Sequence, residues 1–249
     1  MKRPLLLTLI AGAAMFLVVL VLYLPAAWLS GMLPPQWHCA DIGGSVWQGE
    51  CLHLQVAGSP LGDASWNLSA SRAFTGKVAG DVDVEGSAIS VRADVDTNFS
   101  GVGELRNVKA RLTLDPALLP QLPRDQRGTV SAELKRVVLA QGPAPRLLEG
   151  FVELRDLRQV NAHPAELGSY RVDFDGTAAP DGSVHGKLRD LGGPFAVEGT
   201  ITLTPPNNYL VQGFITGRSA DAERTVREIS LGAQPDASGR SPFSFEGSY

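Results

Sequence analysis

The sequence predicts an all-β chain: a single N-terminal transmembrane helix followed by a strongly bent, mainly antiparallel, multi-stranded extracytoplasmic β domain with one or two short helices. Three observations carry this reading. They are a charge-free apolar run over residues 5–24, apolar–polar alternation from Ser45 onward, and an abundance of turn-forming residues. Alternation with a period of two is what a strand with one buried and one wet face requires. The 27 glycines and 17 prolines in 249 residues exceed the usual ~7% and ~5%, which excludes a helical bundle or coiled coil. Mean hydropathy is +0.02, an average over two unlike parts, the apolar run and a more polar body. The net charge of −4 becomes −6 once Lys2 and Arg3 are set aside. An acidic body without a basic stripe argues against nucleic acid as a partner.

The amino-terminal run holds one clearly polar side chain, Thr8. As a helix, residues 5–24 span about 30 Å, the thickness of a bilayer's hydrocarbon core. A cleaved secretory signal has a shorter apolar core and a small-x-small cleavage site. Here Pro25-Ala26-Ala27 is followed by Trp28, a poor match, so residues 5–29 read as a retained anchor. Lys2 and Arg3 hold residues 1–4 on the cytoplasmic side, and Trp28 suits the far interface. Pro34-Pro35 reads as a stiff spacer, and residues 30–249 as one extracytoplasmic β-rich domain.

Cys39 and Cys51 flank Gly43-Gly44. An oxidising compartment permits a disulfide between them, joining two strands across a turn. Closing so short a loop contributes roughly 3 kcal/mol in the chain-entropy model. Free thiols are one alternative. Zinc is another, because His38 and His53 complete a set of four ligands.

Along the body, Val78, Val82 and Val84 alternate with Asp81, Asp83 and Glu85. The same pattern recurs at Ile89, Val91 and Val95, at Val108, Ala110, Leu112 and Leu114, and at Val130, Ala132 and Leu134. It returns at Val172 and Phe174, then at Phe195, Val197, Ile201 and Leu203. Pro-Asp-Gly, Gly-Gly-Pro and Pro-Pro-Asn-Asn separate these runs, which is turn chemistry. The spacing predicts roughly ten to thirteen strands, too many to stay flat, so the sheet bends around an apolar interior without closing into a barrel. Helix is predicted twice. Residues 115–123 make one turn, with Asp115 as cap and Pro116 at the first position. Residues 219–231 place Ala222, Val226 and Ile229 near helical spacing. A Leu-Arg-Asn/Asp string at residues 105–107, 154–156 and 188–190 reads as a strand end entering a turn.

The sequence carries no catalytic pattern. His38, His53, His163 and His185 form no helical metal spacing. Gly43-Gly44-Ser45-Val46-Trp47 approaches a nucleophile elbow until Trp47 replaces the required glycine. Gly101-Val102-Gly103 lacks the third glycine of a dinucleotide loop. Asp81/Asp83, Asp94/Asp96 and Asp173/Asp175 share a strand face, as acid–base pairs or calcium ligands do. They stand opposite the apolar face and read as solvated. No catalytic residue, cofactor site or enzyme activity is expected.

Several strings, in order, resemble the type II secretion system protein N family of Gram-negative bacteria. The anchor comes first, then Gly44-Ser45-Val46-Trp47-Gln48-Gly49 and Leu61-Gly62-Asp63-Ala64-Ser65-Trp66-Asn67-Leu68. Residues 114–122 and the Gly128 strand follow, then Leu167-Gly168-Ser169-Tyr170 and Leu191-Gly192-Gly193-Pro194-Phe195. The set ends with Gly199-Thr200-Ile201-Thr202-Leu203, Tyr209, Arg218, Leu231-Gly232 and Gly239-Arg240. The resemblance implies a single-pass inner-membrane protein with a periplasmic β-rich domain. It would be an accessory part of the machine that exports folded proteins across the outer membrane. Its partners would be the secretin and the inner-membrane platform. Within the strings, Trp47 is expected to fill the sheet interior and Gly49 to allow a bulge or close approach. Trp66, Gly192, Gly193 and Pro194 are expected to be structural.

A different class of function also fits the residues: a membrane-tethered lipid-binding or lipid-transfer groove of the AsmA-like kind. Val82, Val84, Ile89, Val91, Val130, Leu134, Phe195 and Val197 would line it. An apolar face left open by its own side chains favours that reading, and a sealed core opposes it.

Overall fold

The computed structural model of the chain describes residues 12, 13, 15, 16, 19–31, 33, 35–73, 75–98, 102–114, 116, 125–140, 144–160, 164–229 and 234–248. Within them fourteen strands form one sheet. They are β1 (Trp37–His38), β2 (Asp41–Gly44), β3 (Gln48–Val56), β4 (Ser59–Leu68), β5 (Lys77–Glu85), β6 (Ile89–Asn98) and β7 (Val102–Thr113). The sheet continues with β8 (Gln126–Ala140), β9 (Pro145–Gln159), β10 (Ala165–Asp175), β11 (Val184–Asp190), β12 (Phe195–Thr204), β13 (Asn208–Gly217) and β14 (Ser241–Ser248). From β3 to β14 each strand pairs with its sequence neighbour, and β1 and β2 share the free side of β3. All pairs are antiparallel, and β14 pairs with β13 alone among the described strands. Among the described strands the sheet therefore has two edges and does not close into a barrel.

Register explains the alternation. Ile42, Cys51, Ala64, Val84, Val91, Ala110, Ala132, Val152, Val172, Leu188, Gly199, Gly213 and Phe243 are successive cross-strand partners. No side chain in that row is charged. The next row, on the opposite face, runs Ser65, Asp83, Arg92, Lys109, Glu133, Phe151, Asp173, Lys187, Thr200, Gln212 and Ser244. A slip of one residue in any pair would set one row against the other, so burial selects the register.

The polar face is laced by cross-strand ion pairs. Arg92 pairs with Asp83, Arg189 with Asp173 at 3.1 Å, and Arg171 with Glu153 at 2.9 Å. The Arg171 guanidinium also lies 3.6 Å from the Phe151 ring centroid. Burial raises the Glu153 carboxyl, but Arg155 and Arg171 outweigh it and hold the group below the ordinary glutamate range. Asp83 and Asp173 are thus partnered by arginines.

The Leu-Arg-Asn/Asp string behaves differently from a strand end at two of its three places. Asn107 (φ 50°) and Asp156 (φ 53°) lie within β7 and β9, each as an extra residue where the register shifts. These are β-bulges, and bulges bend a strand and increase its twist. Asn107 donates from Nδ2 to Asp94 at 2.6 Å, and the Asp156 N–H donates to Ser169 Oγ at 3.0 Å. In both, the preceding arginine pairs with a glutamate two residues earlier, Arg106 with Glu104 and Arg155 with Glu153. Asp190 does end β11. His53 (φ 53°) makes a third bulge in β3.

Two α-helices lie between described strands of the sheet. α1 (Ala70–Ala73) bridges β4 and β5, and α2 (Ala220–Ile229) lies between β13 and β14. α2 begins where Ser219 Oγ accepts the Ala222 N–H at 3.2 Å, an N-cap contact. Its Ala222 and Val226 pack on Phe195 and Val197. A second cluster on the apolar face joins Ala93, Val108, Val137, Leu148, Phe174 and Val184. The expected helix at 115–123 lies outside the described residues apart from Pro116.

No described helix is long and apolar enough to cross a membrane; the run over residues 5–24 is only partly described. The folded body starts earlier than the Pro34-Pro35 spacer implies. Pro25 bridges Ser45, Ala26 is fully buried, and a 3₁₀ helix covers Ala26–Gly31.

Cys39 and Cys51 are joined in a disulfide, with Cα atoms 5.5 Å apart. Both sulfurs are consumed by that bond, which removes the thiol and zinc alternatives. Replacing both cysteines by serine is expected to lower the unfolding free energy by about 3 kcal/mol in a urea titration, with the circular dichroism of the native protein unchanged.

Candidate functional site

The residues of the ordered strings meet at two places on the sheet. At the amino-terminal edge, Gly44 (φ 83°) turns the chain from β2 towards β3. Ser45 N–H donates to the Gln48 carbonyl at 2.8 Å, and Ser45 Oγ accepts the Gln48 N–H at 3.1 Å. The closed turn presents Val46 and Trp47 to other segments. Val46 N–H donates to the Leu24 carbonyl at 2.9 Å, and Trp47 Nε1 to the Val21 carbonyl at 2.8 Å. From the sheet side, Trp66 Nε1 donates to the Val46 carbonyl at 3.0 Å. A Cβ on Gly49 would stand 2.5 Å from Trp66 Cζ2, so Gly49 serves close approach. Trp47, half-buried, engages the amino-terminal segment instead of filling the sheet interior.

The second place is a corner where β10, β11, β12 and β13 end. Arg218 donates from Nη1 to the carbonyls of Gly193 (2.9 Å) and Phe195 (3.0 Å), and from Nη2 to Asp190 Oδ1 (2.8 Å). Asp190 also accepts the N–H groups of Gly192 (3.0 Å) and Val197 (3.2 Å). Burial raises the Asp190 carboxyl, but Arg218 and these amides hold it below the usual aspartate range. Gly193 sits at φ 119°, and a Cβ there would be 2.7 Å from the Gly168 Cα. Only glycine allows that backbone contact. Pro194 accepts the Arg218 N–H at 2.8 Å. Asp190, the hub of this corner, carries no distinguishing mark in the sequence, where it has the pattern of an ordinary strand-ending aspartate.

Beside the corner lies a hollow of about 870 Å³. Arg127 and Arg158 face Asp156 and Glu166 there, so it offers no net charge for a ligand.

The apolar face holds a more selective feature. Strands β9 to β14 curl into a trough of about 610 Å³, lined by Val152, Leu154, Tyr170, Val172, Leu188, Val197, Ile201, Val211, Ile215, Phe243 and Phe245 among others. Among its described lining residues only Tyr170 and Ser244 have polar side chains, Ser244 belonging to the opposite-face row, and the Tyr170 hydroxyl already donates to the Leu167 carbonyl. Burial, then the Asp190 charge, pushes the Tyr170 hydroxyl pKa up, so it stays protonated. α2 packs against one end, and Phe245, 55% exposed, stands at the rim. Of the residues the alternation nominated, Val197 lines the trough and Phe195 packs against α2. Val82, Val84, Ile89, Val91, Val130 and Leu134 are half-buried on other strands.

One serine–histidine–aspartate cluster exists, wired unlike a nucleophilic triad. Ser183 Oγ donates to Asp181 at 2.7 Å, which leaves it to accept from His185 Nε2 at 3.1 Å. His185 Nδ1 faces Thr202 Oγ1 at 3.1 Å. The aspartate orients the serine, not the imidazole, and Ser183 is 1% exposed. Among the described residues no group of three or more His, Cys, Asp or Glu side chains is placed to hold a metal ion.

A family model for the type II secretion system (T2SS) protein N matches residues 35–244. A type II secretion system protein N from Vibrio cholerae serotype O1 is 26% identical over 222 residues, covering 86% of each chain. No solved structure matches.

Two variants test the corner. Arg218→Ala leaves Asp190 and two carbonyls without their donor and is expected to cost about 2–3 kcal/mol of stability in denaturant titration. Asp190→Asn tests its charge. A carboxyl held low in the fold binds fewer protons there than when unfolded, so its contribution is complete above the unfolded pKa. The stability difference between wild type and D190N should therefore be full at neutral pH and shrink below about pH 4, as pH falls through the folded value.

Proposed function

We propose that this chain, which belongs to the type II secretion system protein N family, acts as an accessory component that supports export of folded proteins across the outer membrane. The family match over residues 35–244, nearly the whole sheet, carries this reading. The chain would sit in the inner membrane as a single-pass protein, with residues 1–4 in the cytoplasm, the anchor in the apolar run 5–24 and the folded body, which begins at Pro25, in the periplasm. What supports this placement is the charge-free run behind Lys2 and Arg3. Exposed Met15, Phe16, Leu20 and Tyr23 also support it, as large apolar surface in water is unfavourable.

Its action would be contact with other secretion components, the secretin and the inner-membrane platform. The free edge of β14 suits that task, because unpaired strand backbone accepts a strand from another chain. The test is deletion in the native strain together with periplasmic photo-crosslinking from positions 244 and 246. Reduced secretion with crosslinks to a secretion component is expected. Normal secretion of all substrates with no such crosslink would end the proposal.

A second reading, an acyl-chain groove, is favoured by one observation. The trough is open, and apart from Tyr170 and Ser244 its described lining residues carry apolar side chains. Native mass spectrometry of the detergent-purified full chain should then find co-purified phospholipid. Leu188→Trp, which fills the trough, should abolish that adduct. No adduct in the wild type, or an adduct unchanged by L188W, would remove this reading.

A further inference from the structure

The turn Ser45–Gln48 links segments that the sequence keeps far apart. On one side it takes hold of the amino-terminal segment through two carbonyls, Val21 by Trp47 Nε1 at 2.8 Å and Leu24 by the Val46 N–H at 2.9 Å. On the other side it is held by β4, through Trp66 Nε1 on the Val46 carbonyl at 3.0 Å and the Leu68 N–H on the Trp47 carbonyl. Both bonding groups of the Val46 peptide and both of Trp47's outward groups are thus committed, half to each side. Beneath the turn, Cys39–Cys51 ties the segment just before β2 to β3, and Cys51 is 4% exposed.

A tether that merely holds a domain near a membrane is a flexible linker of polar, glycine- and serine-rich residues. Here there is no such length. The last helical residue described, Leu22, is three positions from Pro25, which already bridges Ser45, and fully buried Ala26 follows. We propose that the Ser45–Gln48 turn is a rigid joint, with Trp47 as its lock, that fixes the orientation of the whole sheet relative to the amino-terminal apolar segment. This rests on the anchoring reading above for its consequence: the free β14 edge and the trough are then presented at a set height and angle to the bilayer. A partner meets one geometry and not an ensemble, which lowers the ordering cost of binding.

Hydrogen exchange on the full chain in nanodiscs tests the joint. In the wild type, peptides covering residues 21–29 and 45–48 should exchange as slowly as those of β4. Trp47→Ala should accelerate both by about tenfold or more, the effect of losing one or two net hydrogen bonds, and leave β8 and β9 unchanged. Trp47→Phe keeps a ring but lacks the donor, and should accelerate residues 21–29 as well. The joint is refuted if residues 21–29 exchange freely in the wild type, if both variants leave them unchanged, or if both accelerate the entire sheet. Carbonate extraction of cell membranes tests anchoring separately: a chain that is extracted refutes the anchor, while the exchange data still decide whether the joint exists.

Discussion

The structure depends on one continuous chain of neighbour pairings. Because each strand from β3 onward pairs with the strand next to it in sequence, the position of one strand sets the next. An apolar row can cross thirteen positions without meeting a charge only if no pair slips. Desolvating one misplaced aspartate or arginine costs more than a hydrogen-bonded pair in the sheet contributes. Hairpin connections make this arrangement accessible, since no long crossover has to close before the contacts form.

Curvature follows from where the register is broken. The bulges at His53, Asn107 and Asp156 add one residue to one strand of a pair. Each is fixed by a specific hydrogen bond, so the bends are part of the fold and not slack in it. Bending brings β9 and β14 round to opposite walls of one trough, while the Asp190–Arg218 corner fastens the ends of the strands that line it. The polar face meets the complementary requirement. Arg171 bridges Glu153 and Asp173, and Asp173 in turn stands between Arg171 and its cross-strand partner Arg189, so like charges share an opposite one.

Much of this was legible in one dimension. Strands such as Val130-Ser131-Ala132-Glu133-Leu134 announce themselves by alternation, the pairing of Cys39 and Cys51 by spacing across a turn, and α2 by Ala222 and Val226. The bulges were not legible. Asn107 and Asp156 are residue types that also favour turns, and only their pairing partners show that the strand continues. The place of Trp47 is illegible for a related reason. Its hydrophobic bulk points to a core, whereas its indole donor finds a carbonyl 26 residues away, and no local pattern encodes that partner. The trough lies on β9–β14, away from the strands that carry Val82 and Val91. Val82 and Val91 follow the same period as Val172 and Leu188, so composition alone could not separate them.

The described strands present one wet charged face, one apolar face and a free edge at β14, all following from the pairing. Its most direct test is cysteine crosslinking in the native chain with a short bis-thiosulfonate reagent. Ala132→Cys paired with Val152→Cys occupies one row of one face and should crosslink efficiently. Ala132→Cys paired with Phe151→Cys spans opposite faces and should not. Equal yields, or the reverse preference, would contradict the one-faced sheet on which the trough, the corner and the edge all depend.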